Sequence, residues 1–265
     1  MKAITRIVVI ILLAATGGAF ANEGGPTLEP APAHRLDMDS LQRGAGHFVN
    51  YCLNCHSAQY MRYNRLTGLG LTEQQITDNL MFATDKIGSP MLAAMSKADG
   101  VAWFGAPPPD LSVEARVRGK DWLYSYLLGF YKDEKSTTGW NNLVFPSVAM
   151  PHVLWQLQGT QRLVETEYED HEKAEAAVLA AKALALAERL PSGKYVVKTL
   201  ANDTPGTMST VEYKKFVADL VNYLDYMAEP VRNERINIGI IVLIYLGLLF
   251  VFAYALKRAY WKDVH

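Results

Sequence analysis

The sequence predicts a mainly α-helical domain followed by one C-terminal membrane helix, and three observations carry that expectation. Ile236 to Leu256 is a run of twenty-one residues without a formal charge. Several stretches place apolar residues at helical spacing, most clearly Phe216, Leu220, Tyr223, Leu224 and Met227. Both cysteines of the chain lie in one short motif, Cys52-Leu53-Asn54-Cys55-His56.

The chain has 265 residues, a formal net charge of -1 and 50% hydrophobic residues. That balance gives no reason to expect a nucleic-acid partner. At its start, Lys2 and Arg6 precede an apolar run from Ile7 to Thr16 and small residues ending at Ala21. This is the pattern of a secretory signal over residues 1–21, with an apolar run short for a spanning helix. The span 236–256 is long enough to cross the hydrocarbon core, with Lys257, Arg258 and Lys262 close behind it. The basic tail 257–265 is therefore expected in the cytoplasm and residues 22–235 on the far side of the membrane. Tyr260 and Trp261 suit the membrane interface.

Two cysteines in an exported chain allow a disulfide, and two residues between them allow a thioredoxin-like redox pair. A zinc site would need further ligands. The adjacent His56 favours a fourth reading. C-x-x-C-H is the attachment signature of c-type haem, in which both thiols form thioethers and the imidazole coordinates iron. The domain is thus expected to be a c-type cytochrome domain with insertions, and its work electron transfer. A methionine on the other side would complete the coordination and raise the reduction potential. Met61 is too near in sequence, and Met81, Met91 and Met95 read as packing residues. Met150 stands in a loop flanked by Pro146 and Pro151, which can hold it rigidly. It is favoured over its rival His152.

Expected helices run over Asp39–Tyr51, capped by Asp39 or Ser40, over Thr72–Phe82, and over a short Met91–Lys97. Gly44 and Gly46 on the first would permit close approach of another helix. Trp103 to Ser112 reads as a loop whose Pro107, Pro108 and Pro109 could wall a haem pocket. Further helices are expected over Asp121–Tyr131, over the Glu/Ala/Lys/Leu-rich 165–189, and over Val211–Ala228. Tyr195–Thr199 reads as a short strand. The acidic run Glu165, Glu167, Glu169, Asp170 and Glu172 reads as a solvated face, or as a docking patch for a basic partner.

With these segments placed, the chain resembles cytochrome c1, the haem subunit of ubiquinol–cytochrome c reductase, in its bacterial form. The resemblance rests on Arg43-Gly44, Cys52 to Ser57, Pro108-Pro109-Asp110-Leu111-Ser112, Met150-Pro151, Gly206-Thr207-Met208-Ser209 and Ala228-Glu229-Pro230. It implies one covalent haem c held by Cys52 and Cys55, with His56 and Met150 as the axial ligands. It also implies that Arg118 holds a haem propionate, though Arg116 is close by, and that Pro109 lies at the haem. Here Pro151-His152 follows Met150 directly, where the family has a longer Met-Ala-Pro-Pro segment. The implied partners are cytochrome b, a Rieske iron–sulfur subunit that donates the electron, and a c-type cytochrome that accepts it. The implied complex is dimeric and lies in the bacterial inner membrane, with the haem domain in the periplasm. Gly239 and Gly247 would let the anchor approach cytochrome b. The other readings of the same chemistry are a membrane-anchored carrier cytochrome and the cytochrome subunit of a terminal oxidase.

Overall fold

The computed structural model describes residues 25–262 apart from 182 and 183, so the expected signal sequence 1–21 lies outside the described residues. Helix α1 spans Met38–Tyr51 and is capped by Asp37 rather than Asp39 or Ser40; the Asp37 carboxylate accepts the Ser40 amide at 3.0 Å. Its buried face carries Leu41, Ala45, Phe48 and Val49. After the cysteine motif come β1 (Ala58–Arg62), a 3-10 stretch and α2 (Glu73–Leu80). A reciprocal capping box between Thr72 and Gln75 starts α2. The helix ends before Phe82 because Met81 turns to an extended conformation and is buried in the core.

The expected helix over Met91–Lys97 does not form. Met91 belongs to β2 (Pro90–Met91), which pairs antiparallel with β1, and it is fully buried there. The helix begins only at α3 (Lys97–Phe104), where Ser96 caps the Asp99 amide at 3.1 Å. Ser96 and Asp99 make a stronger start than the apolar spacing before them. Trp103 and Phe104, expected in a loop, are therefore helical. Gly105, at φ 79°, ends the helix ahead of the prolines.

Helices α4 (Glu114–Arg118) and α5 (Lys120–Leu128) follow. The helix expected to reach Tyr131 stops at Leu128, since Phe130 and Tyr131 pair with Asn142 and Asn141. That hairpin joins β3 (Phe130–Lys132) to β4 (Trp140–Asn142), and α6 (Trp155–Gln158) comes next.

The single helix expected over 165–189 is corrected to three elements: the end of β5 (Gly159–Tyr168), then α7 (His171–Ala181), then β6 (Ala185–Arg189). The expected strand at Tyr195 runs on as β7 (Tyr195–Pro205), the middle strand of an antiparallel β6–β7 pair with β5 on its other side. Val164 and Thr166 favour a pleated ladder, and pairing outweighs the helix propensity of Ala185, Leu186 and Glu188. Leu163–Ala201, with the described residues up to Leu28, make a compact unit of their own. Much of its acidic run is matched internally: Lys194 reaches Glu169 at 2.9 Å, Lys173 reaches Asp170 at 2.8 Å, and Lys198 reaches Glu188 at 2.6 Å and Glu165 at 3.9 Å.

The larger unit, Glu29–Arg162 with Asn202 onward, is built on α1 crossing α8 (Thr210–Ala228). Ser209 and Glu212 form a capping box at the start of α8. A Cβ on Gly44 would lie 2.1 Å from the Asp219 carbonyl oxygen and 2.7 Å from Tyr223 Cβ, so only glycine allows this approach; Gly46 has open space instead. Arg43 binds the buried Asp219 at 2.6 and 3.0 Å beside the crossing. The chain ends in α9 (Arg232–Tyr260). Its segment Glu234–Tyr260 has mean hydropathy 2.7 and contains no buried residue. It is the one helix among the described residues long and apolar enough to cross a membrane.

Candidate functional site

The last turn of α1 runs straight into the cysteine motif. Cys52 caps the helix with its amide on the Phe48 carbonyl at 2.9 Å, and the His56 amide returns to the Cys52 carbonyl at 2.8 Å. This tight turn puts both thiols and the imidazole beside one cavity of about 350 Å³, a size ordinary for a small-molecule site. Pro107, Pro108 and Pro109 wall it on one side, Leu123 and Leu127 of α5 and Leu220 and Leu224 of α8 line it too, and Met150 faces the same space.

A segment fifty-three residues downstream orients the imidazole. His56 Nδ1 donates to the Pro109 carbonyl at 2.8 Å, because a carbonyl can only accept. Nε2 is then the unprotonated nitrogen, the form a metal needs. Burial lowers the His56 pKa, which favours the same neutral state. The segment is itself pinned: Asp110 accepts the Gln59 and Ser112 amides at 2.9 Å each, the Leu111 amide donates to the Ser57 carbonyl at 2.8 Å, and Ser112 Oγ accepts the Tyr60 amide at 3.1 Å.

Met150 and His152, rivals by sequence, are separated in space. Met150 lines the cavity, and Tyr126 Oη donates to its Sδ at 3.3 Å. His152 is outside the lining, 2% exposed, stacked on Phe130 at 4.8 Å and edge-on to Trp140 at 5.0 Å. Burial pushes its pKa down to about 4. Arg118 and Arg116 separate likewise. Arg118 lines the cavity with its guanidinium 4.8 Å from the Trp122 ring centre; Arg116 lines a different cleft.

The Met150 loop is held by amide side chains. Asn142, fully buried, accepts the Val144 amide at 2.9 Å and donates to the Tyr126 carbonyl at 2.8 Å. Asn141 accepts the Ser147 amide at 2.8 Å, and Ser147 takes φ 61°, the one positive φ outside glycine among the described residues. Sequence reasoning credited the prolines alone and missed Asn141, Asn142 and Tyr126. The paired asparagines that end β4 were the available signal, since such side chains commonly tie turns.

The chemistry of these donors fits a covalently held haem. Cys52 and Cys55 are unpaired with each other, and burial pushes the Cys52 thiol up to about 12 and raises Cys55. A thiol–disulfide oxidoreductase needs the opposite, a lowered thiol pKa. Among the described residues no group of three or more His, Cys, Asp or Glu could hold a bare metal ion, so the zinc reading has no ligand set. An imidazole, a thioether and two thiols around an apolar wall match a haem iron and its macrocycle.

A family model described as the Cytochrome C1 family matches residues 29–264. The chain belongs to the cytochrome c1 family. It is 43% identical to the cytochrome c1 of Allochromatium vinosum over 260 residues, 98% of each chain. It is 30% identical to that of Rhodospirillum rubrum over 96% of this chain and 94% of the other. It is equally similar, at 43% over 98% of this chain and 100% of the other, to a protein of Nitrosomonas europaea named ammonia monooxygenase gamma subunit. Membership in the cytochrome c1 family makes this chain a haem-carrying electron-transfer protein of the respiratory chain, with one covalently bound haem c.

Proposed function

We propose that the chain takes one electron at a time from the Rieske iron–sulfur subunit of a cytochrome bc1 complex and hands it to a c-type cytochrome. Family membership supports the complex, with cytochrome b and the Rieske protein as neighbours. In this reading α9 is the single-pass anchor, the haem domain 22–235 lies on the periplasmic side of the inner membrane, and the complex is a dimer. The observation that carries it is the shared cavity: Cys52, Cys55, His56 and Met150 line one space from which His152 is absent.

Cys52 and Cys55 would form the thioethers, His56 and Met150 the axial bonds. Pro109 holds the His56 ring in one tautomer and orientation, and Arg118 supplies a cation at the cavity for a propionate. When bound, haem c supplies an iron centre that gains or loses one electron. The protein makes and breaks no substrate bond; it excludes water with Pro107–Pro109 and tunes the iron through its ligands.

The test is purification of the membrane complex, followed by a reduced absorption spectrum. Recovery with cytochrome b and an iron–sulfur protein, and a c-type α-band, are expected. Absence of both partners would defeat the proposed route. The Nitrosomonas relative carries the second reading, a subunit of an ammonia-oxidising assembly. Co-purification with such an assembly instead of cytochrome b would favour it.

A further inference from the structure

A second cleft, of about 650 Å³, shares no lining residue with the haem cavity and lies between the leader residues 33–36, the α4–α5 junction, the end of α8 and the first turn of α9. Five cations line it: Arg35, Arg116, Lys120, Arg232 and Arg235. Only two carboxylates do, and both are already engaged. Arg35 holds Asp225 through two nitrogens, one at 2.7 Å, and also reaches the Glu229 carbonyl at 3.0 Å. Arg235 holds the Glu229 carboxylate at 2.6 Å. Arg116 and Arg232 have no ion-pair partner among the described residues, and Lys120 makes only a long 3.4 Å contact to the Ala33 carbonyl. Glu229 feels Arg116 and Arg232 at longer range as well, but five cations against two carboxylates leave the cleft an excess of three positive charges.

Its position narrows what can meet them. Arg232 and Arg235 occupy the first turn of α9, at the very start of its long apolar segment Glu234–Tyr260. No side chain caps that helix, so its positive end adds to the field of the three cations. We infer that this cleft binds a phosphate-type anion supplied by the headgroup of an anionic phospholipid. Guanidinium groups pair with phosphate oxygens through parallel N–H donors, and two of the three uncommitted cations are arginines. A zwitterionic headgroup would bring its own cation into an already cationic cleft, so the anionic class is selected. A bilayer surface level with the start of α9 brings headgroups to the cleft mouth, whereas free phosphate has no comparable local supply. The inference rests on the reading of α9 as the membrane span.

The test compares the purified complex with one carrying Arg116→Gln, Lys120→Gln and Arg232→Gln, each in nanodiscs of phosphatidylcholine with or without phosphatidylglycerol. Native mass spectrometry of the delipidated samples reads the phosphatidylglycerol retained. Unchanged haem content in the variant reports that it has folded. The wild-type complex should hold phosphatidylglycerol about a hundredfold more tightly than the variant, and inorganic phosphate should not displace it. Equal retention by both would overturn the site. Displacement by inorganic phosphate would overturn the lipid source and leave a soluble-anion site. Carbodiimide cross-linking of wild-type Lys120 to a neighbouring subunit would overturn it in favour of a protein carboxylate. Alkaline extraction separates the two readings: release of both proteins from membranes sinks the anchor and the headgroup site together, while membrane retention with unchanged lipid sinks the site alone.

Discussion

Tyr126 donates its phenolic hydrogen to Met150 Sδ at 3.3 Å, from the last turn of α5 to the loop that brings the thioether to the haem cavity. Burial raises the tyrosine pKa well above its usual value, so the donor stays protonated at any working pH. With Met150 as the proposed axial ligand, a donor to this sulfur withdraws electron density that would otherwise stabilise the oxidised iron. Tyr126→Phe should therefore lower the reduction potential, by about 20–40 mV if the bond is worth a typical fraction of a kcal/mol to one. Redox titration of the purified variant gives the answer, and an unchanged potential would deny the sulfur its role.

Met150→Leu removes the thioether while keeping the volume. It should drop the potential by on the order of 100 mV or more and let an external ligand such as carbon monoxide bind the reduced iron. Because His152 is locked between Phe130 and Trp140, it should not take over the vacant position. A spectrum typical of bis-histidine coordination would refute that.

His152 instead predicts an acid dependence of stability. Folded, it titrates near about 4, against about 6.5 for an exposed imidazole, and burial is the cause. Protonation thus favours the unfolded chain, and the stability this residue contributes is present above pH 6.5 and lost as the pH falls towards 4. The full loss is on the order of 3 kcal/mol. Thermal melts across that window should show a shallower acid decline in His152→Phe, which keeps the ring stack without the titration.

Gly44→Ala places a methyl group against the backbone of Asp219, which cannot rotate away. The crossing of α1 and α8 should open and cost about 1–3 kcal/mol or more. Denaturant unfolding compared with Gly46→Ala, which meets nothing within 4 Å, isolates the effect of the crossing.

Arg118→Gln removes the cation at the cavity edge. A positive charge near the iron disfavours its oxidised state, so the variant should have a lower potential, with the difference shrinking at high salt because Arg118 is partly exposed. A potential indistinguishable from wild type would place the propionate elsewhere.

Local chemistry was legible wherever it was strong. The cysteine motif, the capping residue Thr72, the periodic face of α8 and the uncharged run of α9 each carry their own physical reason within a few residues. The failures came where distant pairing decides. Ala185 to Arg189 looks helical by composition, yet hydrogen bonds to β7 make it a strand. Met91 looked like part of a helix and is pulled into β2 by its pairing with Ala58. At the site, spacing singled out Met150 but could not place Tyr126 beside it, because that meeting depends on how α5 and the β4 loop pack. Nor could it separate Arg116 from Arg118, which the short α4 turns towards different cavities.

The pair Arg43–Asp219 joins positions 176 residues apart, and α1, which bears the motif, finds its partner only in the last helix before α9. Contacts of such sequence separation form late and slowly. The haem-bearing end of the chain must therefore wait, partly structured, until nearly all the remainder has been made. A chain cut short before α8 would retain Cys52, Cys55, His56 and Met150 and lack Leu220 and Leu224, part of the wall against which they stand.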